Sequence, residues 1–237
     1  MGRIFEVRKA KMFARWDRMA KQFTRLGKEI EIAVKQGGPD PENNPTLRRI
    51  IQNAKSVNMP KDRIEAAIKR AMDKDKSAYE EIIYEGYAPH GVAVLIETAT
   101  DNPTRTVANL RMYFNRGGGS LATSGSVAFL FKRMGEFVLE KEKLHNPDEL
   151  ELELIDYGME DFGEDEEGHL IVRTAFHDFG RMNEFLEQKA IPVVRAQPIY
   201  IPTSVVELPE HEAQQVLELV DKLEQDDDVQ HVYHNLI

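Results

Sequence analysis

The chain has 237 residues, no cysteine, 41% hydrophobic residues and a formal net charge of −10. Its length suits two or three domains, its apolar content excludes wholesale disorder, and the lack of cysteine excludes a disulfide framework or a thiolate zinc site. No apolar h-region follows the N-terminal charges, and runs such as 92–96 are far shorter than the ~18 residues of a membrane span, so a soluble cytoplasmic protein is expected.

In chain order, residues 1–76 read as all helix. Met12, Trp16, Met19, Phe23, Leu26 and Ile30 recur in alternating steps of four and three, one stripe of a helix. Gly37-Gly38-Pro39 ends that helix through a left-handed glycine and a proline that cannot continue the turn. Asn44-Pro45 opens a second helix, with Asn as cap and Pro in the first position, and Leu47, Ile50, Ile51, Ala54 and Val57 form its buried face. Asn58-Met59-Pro60 starts a third, packed through Ile64, Ala67, Ile68 and Ala71, and the polar stretch 73–77 is a linker.

From Tyr79 the period changes. Residues 91–99 read as a strand, 103–116 as a helix, and 127–131 as a second strand. Then come strand 136–140, helix 148–157, strands near 159–162 and at 169–174, helix 179–188 and strand 193–199, a complete β-α-β-β-α-β unit. Strand 204–208, helix 210–225 and strand 229–235 close the chain. Two halves flanking a complete unit predict an α+β fold in three parts. They are a basic helical domain over 1–77, a ferredoxin-like α/β domain split between 78–132 and 203–237, and a second ferredoxin-like domain, 133–202, inserted into it.

Charge follows the same division. Residues 1–76 hold 19 Lys and Arg against 10 Asp and Glu, a net of +9, and the remainder carries a net of −19. Much of the acid lies in 136–168, where Lys141 and Lys143 are the only lysines, so the inserted domain is expected to be acidic. A basic segment on an acidic body points to a polyanion partner. Arg8, Lys11, Arg15, Arg18 and Arg25 step by three, four, three and seven, a stripe that flanks the apolar one and presents guanidinium groups to phosphates. Lys9, Lys21 and Lys28 belong to the same helix, and Arg48, Arg49, Lys55, Lys61, Arg63, Lys69 and Arg70 extend the surface over the next two. Such contacts give affinity and orientation but little sequence information. Arg105, Asn109 and Arg116 share one side of helix 103–116 and form a secondary patch.

Other stretches read as structure. Gly117-Gly118-Gly119-Ser120 follows a helix and lacks the Lys-Ser/Thr of a P-loop, so it is a glycine cap and turn. Gly86 and Gly91 bracket a tight turn at Pro89-His90, and Asp101-Asn102-Pro103 caps a helix. His145, His169 and His177 lack the spacing of a zinc pair, and His231 and His234 fall on opposite faces of a strand. Neither a catalytic site nor a metal or other cofactor is expected.

Several motifs in fixed order resemble the YebC family, bacterial relatives of the mitochondrial translational activator of cytochrome oxidase. They are Asn58-Met59-Pro60-Lys61-Asp62 with Ala67-Ile68-Lys69-Arg70, Tyr84-Glu85-Gly86-Tyr87 with Gly91-Val92-Ala93-Val94, Thr100-Asp101-Asn102 with Arg105-Thr106-Val107, and Gly125-Ser126-Val127-Ala128. The resemblance spans essentially the whole chain. It implies a helical N-terminal domain and two α/β domains, the third inserted in the second. The usual family opening, Gly-His-Ser-Lys-Trp, is here Gly2-Arg3-Ile4-Phe5-Glu6, so contacts made by that opening do not carry across. Family members act as DNA-binding transcriptional regulators or as ribosome-associated translation factors. The expected function is therefore a non-enzymatic, nucleic-acid-binding regulator of gene expression. A stripe that recognises phosphate and shape favours RNA or the ribosome, and a DNA-binding transcriptional regulator stays open. A small-molecule sensor built on the ferredoxin-like domains is the reading from another class.

Overall fold

The computed structural model describes residues 3–73, 77–144 and 146–237, with side chains along the first helix described from Arg18 onward. Met12, Trp16, His145 and part of the expected linker 73–77 lie outside the described residues or side chains.

Three helices lead the chain: α1 (Arg3–Gly37), α2 (Pro45–Ser56) and α3 (Lys61–Met72). Their apolar stripes converge in one core, where Leu26, Ile30, Ala33 and Val34 meet Leu47, Ile50 and Ala54 and then Ile64, Ala67 and Ala71. Local chemistry sets the corners. Gly38 takes φ 89°, which a side chain rarely adopts, and ends α1. Asn44 caps α2 by accepting from the Leu47 amide at 3.1 Å, and its Nδ2 donates to the carbonyls of Ala33 and Gly38. One buried amide thus ties the end of α1 to the start of α2.

The remaining elements run β1 (Glu80–Tyr87), β2 (Ala93–Thr100), α4 (Pro103–Arg116), β3 (Ser120–Ala122), β4 (Phe131–Leu139), α5 (Pro147–Asp156), β5 (Met159–Glu164), β6 (Leu170–Ala175), α6 (Phe179–Gln188), β7 (Val193–Pro202), α7 (Glu210–Glu224) and β8 (Val229–His234). One four-stranded sheet has the order β3-β1-β2-β8 and the other β5-β6-β4-β7. In the second sheet β4 pairs antiparallel with both β6 and β7, and β5 with β6. A β-α-β-β-α-β unit with its first and third strands central is the ferredoxin-like arrangement. Its core is Phe137, Leu139, Leu154, Val172, Met182, Phe185 and Leu186.

By compactness the chain divides into two units. One is 1–84 with 96–116 and 217–232, and the other is 85–95 with 117–216 and 233–237.

Three local expectations need correction. Glu80–Tyr87, for which the sequence pattern predicts no element, is a strand. Residues 127–131 are not a strand of their own. Ala128–Leu130 form a 3-10 turn and Phe131 begins β4, because the amides of Val127 and Ala128 donate to the Glu85 carboxylate instead of a ladder. The stretch 204–208 makes only the single bridge Val206–Leu236.

Candidate nucleic-acid interface

The fold sorts the expected cations into two classes. Arg8, Lys9, Lys11 and Arg15 have side chains outside the described set. Of the rest on α1, Arg18 is exposed, Lys21 is half-buried, and Arg25 and Lys28 turn inward. Arg25 Nη2 donates to the Glu224 carbonyl at 2.9 Å. The Lys28 ammonium donates to the carbonyls of Ala99 (2.8 Å) and Asp227 (2.6 Å) and lies 3.3 Å from Asp228 Oδ1. Its side chain keeps only 9% exposure, so it is a buried ion and no part of an outer surface.

On α2, the half-buried Arg48 donates to the carbonyl of Pro41. Arg49 is half-buried, and desolvation pulls its pKa below the usual arginine value despite the opposing charge of Glu29. Lys55 is exposed. On α3, Lys61, Arg63, Lys69 and Arg70 are all exposed. Arg70 Nε donates to Glu31 at 2.8 Å, the Arg63 guanidinium lies 5.6 Å from the Phe23 ring centre, and Lys61 pairs with Glu65 one turn on. Among the described residues, the expected cations that face outward are therefore Lys55, those of α3, and Arg18 on α1.

The secondary patch is a different object from the one expected. Arg116 is exposed, but Arg105 and Asn109 hold the acidic turn 226–228. Arg105 Nε and Nη2 fork onto Asp228 at 3.1 and 2.8 Å, and Nη2 also reaches Asp101. Thr106 donates to Asp228 Oδ2 at 2.9 Å, while Asn109 and Tyr113 donate to Asp226. Asp228 thus receives Lys28 from α1 and Arg105 and Thr106 from α4. Burial pulls its pKa up, but the hydrogen bonds from Arg105 and Thr106 and the Lys28 charge outweigh that and hold it below the ordinary value. Two edges of the Arg105 guanidinium, Nε and Nη2, are thus taken up by Asp228 and Asp101.

Glu29 on α1 is a second ionisable group of note. Burial, reinforced by Glu97 and Glu81, pushes the pKa of Glu29 up to about 7 against the opposing charges of Arg49 and Arg25. His231 Nε2 stands 3.9 Å from it.

A third feature is internal as well. The Glu85 carboxylate sits in a nest of backbone amides, accepting from Gly125 and Val127 at 2.6 Å and Ala128 at 2.8 Å. Burial alone would raise its pKa, but these amides hold it below the usual glutamate range. The concave donor set of a phosphate cradle is present here, but its own carboxylate fills it.

Among the described residues, no group of three or more His, Asp or Glu could hold a metal ion, and no helix is long and apolar enough to cross a membrane.

Comparison with known proteins places this geometry. Residues 3–74 match the model of the TACO1/YebC protein N-terminal domain, and residues 79–236 match that of the TACO1/YebC second and third domain. The chain belongs to the TACO1/YebC family. A relative from Anaeromyxobacter dehalogenans (strain 2CP-C), named "Probable transcriptional regulatory protein", is 59% identical over 100% of both chains. A relative of the same name from Myxococcus xanthus is 58% identical, again over 100% of both. One from Parabacteroides distasonis is 49% identical over 100% of this chain and 97% of its own length. The crystal structure of a conserved hypothetical protein from Aquifex aeolicus superposes with a TM-score of 0.81 at 40% identity, covering 92% of this chain and 90% of that one.

The YebC motifs now have physical jobs. Thr100-Asp101-Asn102 and Arg105-Thr106 build the Asp228 hub, where Asn102 caps α4 through the Arg105 amide. Gly125-Ser126-Val127-Ala128 is the nest for Glu85 of Tyr84-Glu85-Gly86-Tyr87. Sequence reasoning missed Asp228, Asp226, Glu85 and Glu29. The triple acid 226–228 was the available signal for the Asp228 hub, whereas Glu85 shares its strand with Glu80 and Glu81, so the pattern does not single it out.

Proposed function

We propose that this chain is a non-enzymatic regulator of gene expression that binds nucleic acid through phosphate and shape contacts of its basic N-terminal helices, as a ribosome- or RNA-associated translation factor. The observation that carries the reading is the sorting of cations. With Arg25, Lys28, Arg48 and Arg105 held by internal partners, Lys55, Lys61, Arg63 and Lys69 still stand exposed within the stretch 55–69 of a chain whose net charge is −10. Helix-borne cations of this kind neutralise phosphates without reading bases. The acidic remainder repels phosphate, so the basic helices are the part that meets the polyanion.

The same reading divides the chain into a helical domain over 1–77, an α/β domain over 78–132 and 203–237, and an inserted acidic domain over 133–202. The second sheet, drawn wholly from 131–202, supports that division.

A second reading, a DNA-binding transcriptional regulator, is favoured by the names of the relatives. Fluorescence anisotropy with single-stranded RNA and with duplex DNA at matched salt, beside co-sedimentation with ribosomes, separates the two. Tighter RNA or ribosome binding supports the translation reading, and tighter duplex binding supports the transcriptional one.

A further inference from the structure

A cavity of about 290 Å³ opens beside the exposed basic face, between α1, α3 and the segment leading into β1. Phe23 and Tyr79 supply its aromatic walls, Gly27 lines it between them in sequence, and Arg63, Arg70 and Glu31 line the rest of it. A cation that lines the same cavity lies near each ring. The Arg63 guanidinium lies 5.6 Å from the Phe23 ring centre and the Lys28 ammonium 5.0 Å from that of Tyr79. Lys28 is fixed by three oxygens.

Rings, a guanidinium open to solvent and a fixed carboxylate make a defined chemistry. A flat π system stacks on aromatic faces, and successive bases of a single strand do so regardless of sequence. Arg63 is exposed and can meet a phosphate attached to that flat group. Glu31 is held at 2.8 Å by Arg70, which keeps it an acceptor for an exocyclic amine. The volume lies near the lower end for small-ligand sites, enough for one base with its sugar and too little for a folded segment. Glycine at 27 leaves room that a side chain would take, although a β-carbon there would meet only Arg70 Nη2, at 3.7 Å, an ordinary contact.

We propose that this cavity binds one unstacked nucleotide, its base against Phe23 and Tyr79, its amine edge toward Glu31 and its phosphate at Arg63. The proposal deepens the nucleic-acid reading above and rests on it for the source of the nucleotide. Two sources share this chemistry, a free mononucleotide and a base splayed from single-stranded RNA.

The test uses the full chain with two probes. One is an eight-nucleotide RNA carrying a central 2-aminopurine and an end-attached fluorophore, and the other is AMP followed by saturation-transfer NMR. The wild type should raise anisotropy, change 2-aminopurine emission and saturate the adenine protons of AMP. Tyr79→Ala should abolish the emission change and weaken RNA binding roughly five- to hundredfold, the range of one base–aromatic stack. Arg63→Ala should lower the salt slope by about one. Gly27→Ala adds a methyl without a clash, so it tests the cavity even where Tyr79→Ala perturbs folding, and it should weaken both probes. Anisotropy that rises normally with silent 2-aminopurine, and is indifferent to Tyr79→Ala and Gly27→Ala, overturns the nucleotide site and leaves nucleic-acid binding standing. AMP binding that Tyr79→Ala removes, without any RNA anisotropy, supports the site and overturns the nucleic-acid reading. Neither signal overturns both.

Discussion

Truncating Asp228 to alanine should destabilise the unit that contains it by about 3 kcal/mol. The carboxylate is 5% exposed and the Lys28 side chain 9%, so the pair is buried, and breaking such a pair costs roughly 3–5 kcal/mol because the remaining charge is left uncompensated. Two features place the value at the low end. Lys28 keeps its carbonyl partners at 2.6 and 2.8 Å, and Arg105 is 46% exposed, so its share is that of a surface bridge, at most about 1 kcal/mol. At roughly 2–4 °C per kcal/mol for a chain of this size, the corresponding transition should fall by roughly 6–12 °C in scanning calorimetry. Lys28→Met in the Asp228→Ala background should recover part of that loss, with a coupling of about 2 kcal/mol in the double-mutant cycle. Because the folded pKa of Asp228 is depressed, its contribution is present above the ordinary aspartate value and fades as pH falls through the folded one. A shift below about 2 °C at neutral pH, or additive single mutants, would refute the reasoning.

Two other carboxylates give predictions of opposite sign in pH. Glu29 has a pKa raised to about 7, so folding favours its protonated form, and stability should decline as pH rises from about 4.5 to 7. Glu29→Gln should remove that slope and stabilise the protein at pH 8 by about 1 kcal/mol, well under the full shift because 29% of the side chain meets solvent; urea titrations at pH 5 and 8 with unchanged difference between wild type and variant would contradict it. Glu85 has a lowered pKa, so its contribution is present at neutral pH and lost in acid. Glu85→Gln sets an amide donor against backbone donors and should cost about 2–3 kcal/mol at pH 7, read from the shift in urea midpoint.

The corners of the fold were legible because their causes are local. Gly38, Asn44-Pro45 and Asn102-Pro103 each act on backbone within a few residues, and helices 103–116 and 179–188 have the bounds that periodicity predicts. The candidate interface was legible only in part. Periodicity places Arg25 and Lys28 on the basic flank of α1, but it cannot know that Asp228, two hundred residues from Lys28, lies against that flank. The same long-range chemistry hid the turn at 128–130, whose neighbouring amides are claimed by a glutamate about forty residues upstream. Glu80–Tyr87 escaped because its first four residues are exposed or half-buried acids and apolars without clean alternation.

The central claim is that the exposed cations of the N-terminal helices, and not those that hold the buried Asp228, bind the polyanion. The most direct measurement is the dependence of RNA affinity on salt, by anisotropy, for wild type, for a Lys61→Gln, Arg63→Gln, Lys69→Gln triple variant, and for Arg105→Gln. Each lost phosphate contact should lower the slope of log K against log salt by about 0.7 to 1, so the triple variant should lose roughly two to three while Arg105→Gln keeps the wild-type slope. An unchanged slope in the triple variant, or an equal drop in Arg105→Gln, would contradict the account.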